Sequence, residues 1–251
     1  MKRNIFIILT YIAVYVLTSV YAGFIIAGQI AATGDYVESE VLLYAQIFMG
    51  VAGFALMVGI FRKYLLQQFK DFRNRLGNII LIGILGFMAL FVVSIISGII
   101  ISYFTETATS VNQGGIQSMF EGLSTFQLIM LSLSIAVFTP IVEELTFRKG
   151  LYGIIGFLVM SVGIKINKEV DDAKDSKLFM IASISAIIGS SLIFGLLHVF
   201  AGGDYIYLIN YASAGIVLGV IYHVSGRNIY ASIITHIIQN TIGVIAILSV
   251  I

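Results

Sequence analysis

The chain has 251 residues, of which 59% are hydrophobic and only 11% are charged, and its formal net charge is +1. A soluble domain carries about 25% charged residues, so this chain has too little polar surface to cover itself in water. The absence of cysteine excludes disulfides, thiolate metal ligands and a cysteine nucleophile. The charge gives no indication of nucleic-acid binding, and the solvent that suits this composition is a lipid bilayer.

Apolar runs follow one another along the whole chain, and a membrane-spanning helix needs about 20 such residues. We count eight runs, at roughly 4–28, 41–61, 78–104, 124–147, 150–164, 178–200, 205–224 and 228–251. The fifth run measures about 22 Å as a helix, so it predicts either a short span or a re-entrant segment. The sequence therefore predicts an all-α polytopic bundle of about eight spans, with three of them in residues 1–123 and the rest in 124–251.

The positions of Lys and Arg indicate the orientation, because short cytoplasmic loops carry an excess of these residues. Lys2 and Arg3 precede the first run, and five cationic residues follow the second, namely Arg62, Lys63, Lys70, Arg73 and Arg75. The alternate loops contain no Lys or Arg and carry Asp35, Glu38, Glu40, Glu106 and Glu121. We therefore expect both termini, Arg148 and the 201–204 turn on the cytoplasmic side, with residues 165–177 outside.

Two adjacent glutamates, Glu143 and Glu144, lie inside the fourth run. An ionised side chain at the membrane centre costs about 2.5–3.5 kcal/mol on insertion scales. Two such residues in one apolar run therefore indicate either a stabilising partner or a function. Glu144 and Arg148 are four residues apart and can form an ion pair on one helix face. Glu143 has no such partner, although Phe147 shares its face. A purely structural role is therefore easier to assign to Glu144 and Arg148 than to Glu143.

Two histidines also lie in apolar runs. His198 ends the sixth run, four residues after Phe194, and His236 lies well inside the eighth. His236 and Asn240 share one helix face because they are four residues apart. Taken singly, an intramembrane histidine is as often a hydrogen-bonding residue between helices as a functional one.

The topology determines whether these groups can meet. If the fifth run spans the membrane, Glu143, His198 and the His236–Asn240 pair converge in a cavity that is open to the cytoplasm. If the fifth run does not span, His198 lies at the opposite face and no site forms.

A cluster of this kind suits either hydrolysis or a proton or ion pathway. For hydrolysis, Glu143 can activate a water that His198 orients, while His236 and Asn240 donate hydrogen bonds to the oxyanion. His198 can also protonate the leaving amine. The same glutamate and histidines, Glu143, His198 and His236, can instead hold Zn²⁺ with a water as a further ligand. The residues alone do not choose between the two mechanisms.

Three motifs on separate predicted helices resemble those of the CAAX prenyl protease 2 type, the CPBP/Abi family of intramembrane peptidases. They are Glu143-Glu144-x-x-x-Arg148 with Phe147 before the arginine, Phe194-x-x-x-His198, and His236-x-x-x-Asn240. The resemblance covers roughly residues 124–245. The chain departs from the pattern at Lys149, where a glycine often follows the arginine; here Gly150 comes one residue later.

The resemblance implies a CAAX protease-like catalytic core in residues 124–251. It implies that Glu143 and His198 activate the water, and that His236 and Asn240 bind the oxyanion. Glu144, Arg148, Phe147 and Phe194 would then have supporting roles.

The resemblance further implies a membrane-associated peptide or protein substrate and a bacterial cell membrane as the location. The resemblance does not require a cofactor, and Zn²⁺ at the site stays an alternative. Two other functions stay open. One is a membrane protein that confers bacteriocin immunity by binding, since the family includes immunity-associated members. The other is an ion-coupled transporter. This function is less favoured because the sequence shows none of the matching halves that transporters often have.

Overall fold

The computed structural model describes residues 1–166 and 176–250 and consists of helices joined by short connections. The α-helices are α1 (Lys2–Thr33), α2 (Glu38–Asn74), α3 (Leu76–Ser102), α4 (Val111–Ser118), α5 (Thr125–Leu133), α6 (Thr139–Glu144), α7 (Tyr152–Ile166), α8 (Ser176–Val199), α9 (Leu208–Val224) and α10 (Ile229–Leu248). Seven helices in these ranges are long and apolar enough to cross a membrane. The prediction of an all-α polytopic bundle is confirmed.

One continuous helix, which we call the central helix, runs from Thr125 to Lys165 and contains α5, α6 and α7. Two π-helical turns, Ser134–Phe138 and Leu145–Leu151, interrupt its α-helical register on either side of the two glutamates. The fourth and fifth apolar runs are therefore parts of one helix of 41 residues. The two termini lie at opposite ends of the bundle, because Val244 near the end of α10 packs with Leu43 near the start of α2, whereas Arg3 lies over Tyr64 in the second half of α2. The expectation of two cytoplasmic termini depended on an eighth span, and the side of the membrane on which each terminus lies stays a prediction.

Contacts between helix ends define one face of the bundle, which we call the basic face. Arg3 and Lys149 lie over the ring of Tyr64, at 5.2 and 5.0 Å from its centroid. Arg75, between α2 and α3, donates a hydrogen bond to the carbonyl oxygen of Ser225 at 3.0 Å. The amino terminus, the α2–α3 connection and the α9–α10 turn therefore lie at the same face.

The opposite face, which we call the acidic face, is built around the segment between α3 and α5. Asp204 accepts a hydrogen bond from the backbone N–H of Val111 at 2.8 Å. Met119 packs in one buried cluster with Leu43 of α2 and Val244 of α10. The 201–204 turn and the end of α10 therefore lie opposite the amino terminus, contrary to expectation. The predicted position of the 165–177 loop concerns residues that fall mostly outside the described ranges.

Small residues lie where helices pack closely, and large apolar side chains cover the surfaces that face outwards. Gly215 of α9 lies so close to α8 that a Cβ at this position would stand 2.9 Å from the Cβ of Ser191. Small residues permit this approach between membrane helices. Large apolar side chains instead stand exposed along α1 and α3, as at Phe24 and Met88. Such surfaces fit contact with lipid and do not fit contact with water.

Candidate active site

A proline in the central helix leaves a backbone carbonyl free to bind the side chain of Asn240. In the first π turn the backbone N–H of Thr139 bonds to the carbonyl of Ser134, five residues earlier. The next bond in that register would join residue 140 to Ile135, but Pro140 has no N–H. Asn240 of α10 takes this place and donates its side-chain N–H to the Ile135 carbonyl at 3.0 Å. The local sequence thus provides a backbone acceptor that orients the Asn240 amide.

The two adjacent glutamates have different surroundings. Glu144 is fully buried, and its Oε2 pairs with Nε of Arg148 at 3.2 Å, which confirms the predicted ion pair. The other carboxylate oxygen of Glu144 lies 3.0 Å from Nδ1 of His236. Glu143 instead turns its carboxylate towards a cavity, where its two oxygens lie 3.9 Å from Nε2 of His198 and 3.6 Å from Nε2 of His236. Both oxygens of Glu144 are thus engaged, and neither oxygen of Glu143 is within direct hydrogen-bond distance of these histidines.

Hydrogen bonds at Nδ1 determine which nitrogen of each imidazole faces Glu143. The backbone carbonyl of Phe194 can only accept, and it lies 2.8 Å from Nδ1 of His198. The ion-paired carboxylate of Glu144 likewise accepts from Nδ1 of His236. In its neutral form, each ring therefore holds its proton on Nδ1 and turns an unprotonated Nε2 towards Glu143. A neutral His236 offers an acceptor here, so the oxyanion role expected of it requires the protonated ring.

The four residues predicted to be catalytic, Glu143, His198, His236 and Asn240, line one cavity of about 360 Å³. The rest of its polar lining is made of neutral amides and hydroxyls, and in the described residues it includes no Lys or Arg. These polar side chains belong to Gln46, Ser94, Thr109, Ser110, Asn112, Gln113, Thr139, Tyr207, Asn210, Tyr211 and Gln239. Gln46 of α2 and Ser94 of α3 show that the amino-terminal helices contribute to the cavity.

Tyr211 connects His198 to the segment before α4. The Tyr211 ring stacks on the His198 imidazole, with the centroids 4.6 Å apart and the planes at 23°. Its hydroxyl lies 2.7 Å from the Ser110 hydroxyl and accepts from the side-chain amide of Asn112 at 3.2 Å. The three motifs contain none of these residues, so the sequence analysis missed them. The only signal in the sequence for such residues is their polarity. Gln46, for example, is a polar residue inside the second apolar run.

Phe147 and Phe194 form the apolar support behind the site. Their rings are perpendicular at 5.0 Å, and Phe194 also lies 4.4 Å from the His198 ring. The guanidinium carbon of Arg148 lies 5.6 Å from the centroid of Phe194. Arg148 is fully buried and is not among the residues that line the cavity. Phe194 therefore contacts the Arg148 guanidinium and the His198 ring.

The cavity opens towards the acidic face, not towards the basic face where the amino terminus lies. Its lining includes residues 108–110, 112, 113 and 116, and His198 stands one residue before the end of α8. Glu143 lies 22 residues before Lys165, and His198 lies 21 residues after Lys177, so α8 returns to the level of Glu143. The fifth run forms no separate span, because it continues the fourth as one helix, and His198 nevertheless lines the same cavity as Glu143.

The side chains at the site include ligands that a metal ion could use. Two imidazole nitrogens and a carboxylate are ligands that Zn²⁺ accepts, and each imidazole has the Nδ1 partner that zinc-binding histidines usually have. Across residues 1–166 and 176–250, however, no group of three or more His, Cys, Asp or Glu residues is arranged to hold one ion. The three acceptors also suit a water molecule, which can donate two hydrogen bonds to them.

The fold and the cavity define an integral membrane protein with an ionisable cluster buried among its helices. Residues 125–242 match the family described as type II CAAX prenyl endopeptidase Rce1-like. The match contains all three motifs and confirms the family expected from them. The match therefore supports, at the level of the family, a membrane-embedded endopeptidase. Searches of curated proteins and of solved structures found no match.

Proposed function

We propose that this protein is an intramembrane endopeptidase of the bacterial cell membrane that hydrolyses a peptide bond in a membrane-associated peptide or protein. The observation that carries the proposal is the contrast between the two glutamates. Both oxygens of Glu144 are engaged by Arg148 and His236, whereas Glu143 faces the cavity between two unprotonated imidazole nitrogens. Glu143 is thus the carboxylate that is available as a general base.

A water molecule fits between Glu143 and His198. At hydrogen-bond distances of about 2.8 Å from each, it would span their 3.9 Å separation with an angle of about 90° at its oxygen. Glu143 takes one proton of this water as the water oxygen bonds to the scissile carbonyl carbon, while His198 Nε2 accepts the other hydrogen and orients it. When the C–N bond breaks, the proton passes from Glu143 to the leaving nitrogen, which balances the reaction.

Asn240 is the neutral donor for the oxyanion of the tetrahedral intermediate. One N–H of its amide bonds to the Ile135 carbonyl, and the second is available to the cavity. A donor that is held in place before the reaction stabilises the developing charge without reorganisation. His236 becomes a second donor only when a proton reaches its Nε2, which lies 3.6 Å from Glu143.

The lining supports an internal peptide bond as the target. A free carboxylate at a substrate's carboxyl terminus would need a cationic partner, and the described lining contains no Lys or Arg. The neutral amides and hydroxyls instead match the N–H and C=O groups of an extended peptide. This polar cavity inside an apolar bundle favours a peptidase over an immunity protein that acts by surface binding.

The proposal is tested by reconstitution in liposomes with a panel of membrane-anchored peptides. We expect the wild type to cut at least one peptide, and Glu143→Ala to lower the rate by roughly 10²–10⁴, as for loss of a general base. Glu38→Ala removes an exposed carboxylate at the acidic face and is the matched control with full activity. Equal cleavage by the wild type and Glu143→Ala would contradict the proposal. Equal binding by both, with no product from either, would support the immunity alternative instead.

A further inference from the structure

The charges of the chain divide between its two faces. Apart from Arg148, every Lys and Arg in the described ranges lies at the basic face or on the neighbouring ends of α2, α7 and α8. They are Lys2, Arg3, Arg62, Lys63, Lys70, Arg73, Arg75, Lys149, Lys165, Lys177 and Arg227. The contacts of Arg3 and Lys149 with Tyr64, and of Arg75 with Ser225, hold several of these elements together.

The acidic face has the opposite composition. Six carboxylates lie on the segments that meet there, at Asp35, Glu38, Glu40, Glu106, Glu121 and Asp204. In the described part of the chain these segments carry no Lys or Arg. Because Lys and Arg in short loops are retained in the cytoplasm, this asymmetry places the basic face inside and the acidic face outside.

The site communicates with the acidic face and is closed towards the basic one. The segment that contains Ser110 and Asn112 forms its outer wall, and the 201–204 turn is anchored to that segment by the bond from Val111 to Asp204. On the other side, a buried cluster fills the bundle between the glutamates and the basic face. Its members include Tyr64, Leu145, Tyr152, Tyr222, Ile229 and Ile233.

We propose that the catalytic cavity is entered from the extracytoplasmic side. Its substrate is then a membrane-anchored polypeptide whose scissile bond lies outside the cytoplasmic leaflet. A protein tail modified with lipid in the cytoplasm would meet the basic face, where the buried cluster separates it from Glu143. The location of the entrance follows from charge and packing alone, whereas the substrate class rests on the proposed peptidase function.

Single-cysteine labelling tests the location, and the absence of native cysteine makes the background clean. Thr109→Cys lies on the exposed segment beside the cavity, and Gln67→Cys lies on an exposed part of α2 near the basic face without altering any charge. In spheroplasts of a bacterial host, a membrane-impermeant maleimide should label Thr109→Cys. It should label Gln67→Cys only after permeabilisation. The reverse pattern, or labelling of both in intact spheroplasts, would overturn the proposal.

A second arm tests the substrate class with one cleavable segment fused to a membrane anchor in two orientations. Cells that produce the wild type should cleave the fusion whose segment is extracytoplasmic and leave the cytoplasmic one intact. Cleavage restricted to the cytoplasmic fusion would overturn the assigned substrate class. If Thr109→Cys is labelled from outside but neither fusion is cut in cells or in detergent, the entrance is located correctly and the peptidase function is refuted.

Discussion

Replacing Glu144 with glutamine removes the negative charge that faces the buried Arg148 guanidinium. Both side chains are 0% exposed, and the Nη atoms of Arg148 have no hydrogen-bond partner among the described residues. Removing one partner of a buried ion pair costs about 3–5 kcal/mol, because the remaining charge stays buried without compensation. Native proteins are stable by only about 5–15 kcal/mol. Glu144→Gln should therefore lose roughly a fifth or more of the free energy of unfolding.

The matched control is Glu143→Gln, the same substitution at the neighbouring residue. The Glu143 side chain is 10% exposed to the cavity and has no Arg or Lys partner in the described structure. Its free energy of unfolding should change by no more than about 1 kcal/mol. The double variant Glu144→Gln with Arg148→Met removes both charges and should recover much of the loss, because apolar replacement of a whole buried pair is often neutral. Thermal or denaturant unfolding in detergent measures all three. Equal stability of Glu143→Gln and Glu144→Gln would refute the assignment of their roles.

Three further outcomes follow from the geometry of the site. Asn240→Ala should lower turnover by roughly 10²–10³ with little change in substrate binding, as for loss of one oxyanion donor; a raised KM with unchanged kcat would contradict that role. Pro140→Ala adds an N–H that competes for the Ile135 carbonyl, so turnover should fall while thermal stability is kept or raised. A stable variant with full turnover would show that Asn240 does not need this acceptor. The purified protein should contain much less than one zinc per chain and stay active with chelators; one zinc, lost and restored together with activity, would make His198 and His236 ligands.

The helices could be predicted from hydropathy, but the continuity of the central helix could not. Arg148 and Lys149 interrupt the apolar sequence and so predict the end of a span. In the structure Glu144 neutralises Arg148 inside the bundle, and Lys149 lies over the Tyr64 ring. The local ion pair and the long-range contact with Tyr64 accommodate two charges that look terminal in the sequence. The described residues therefore contain seven candidate spans where the sequence shows eight apolar runs.

The motif residues could be found from the sequence because ionisable side chains are rare inside apolar helices. The structure does bring Glu143, His198, His236 and Asn240 to one cavity. The protonation pattern of the histidines could not be predicted, since it depends on what each Nδ1 contacts. Gln46 and Tyr211 were also missed, because a neutral polar residue in an apolar run has many uses. Only the folded arrangement shows that both line the cavity.

Cleavage by Glu143→Gln tests the central claim most directly. This variant keeps the size and shape of the side chain and removes only its ability to accept a proton. Proteoliposomes with wild type and with Glu143→Gln would receive the same membrane-anchored peptide, with products identified by mass spectrometry. The account predicts one cut peptide bond with the wild type and intact peptide with folded Glu143→Gln. The same products from Glu143→Gln at the rate of the wild type would contradict it.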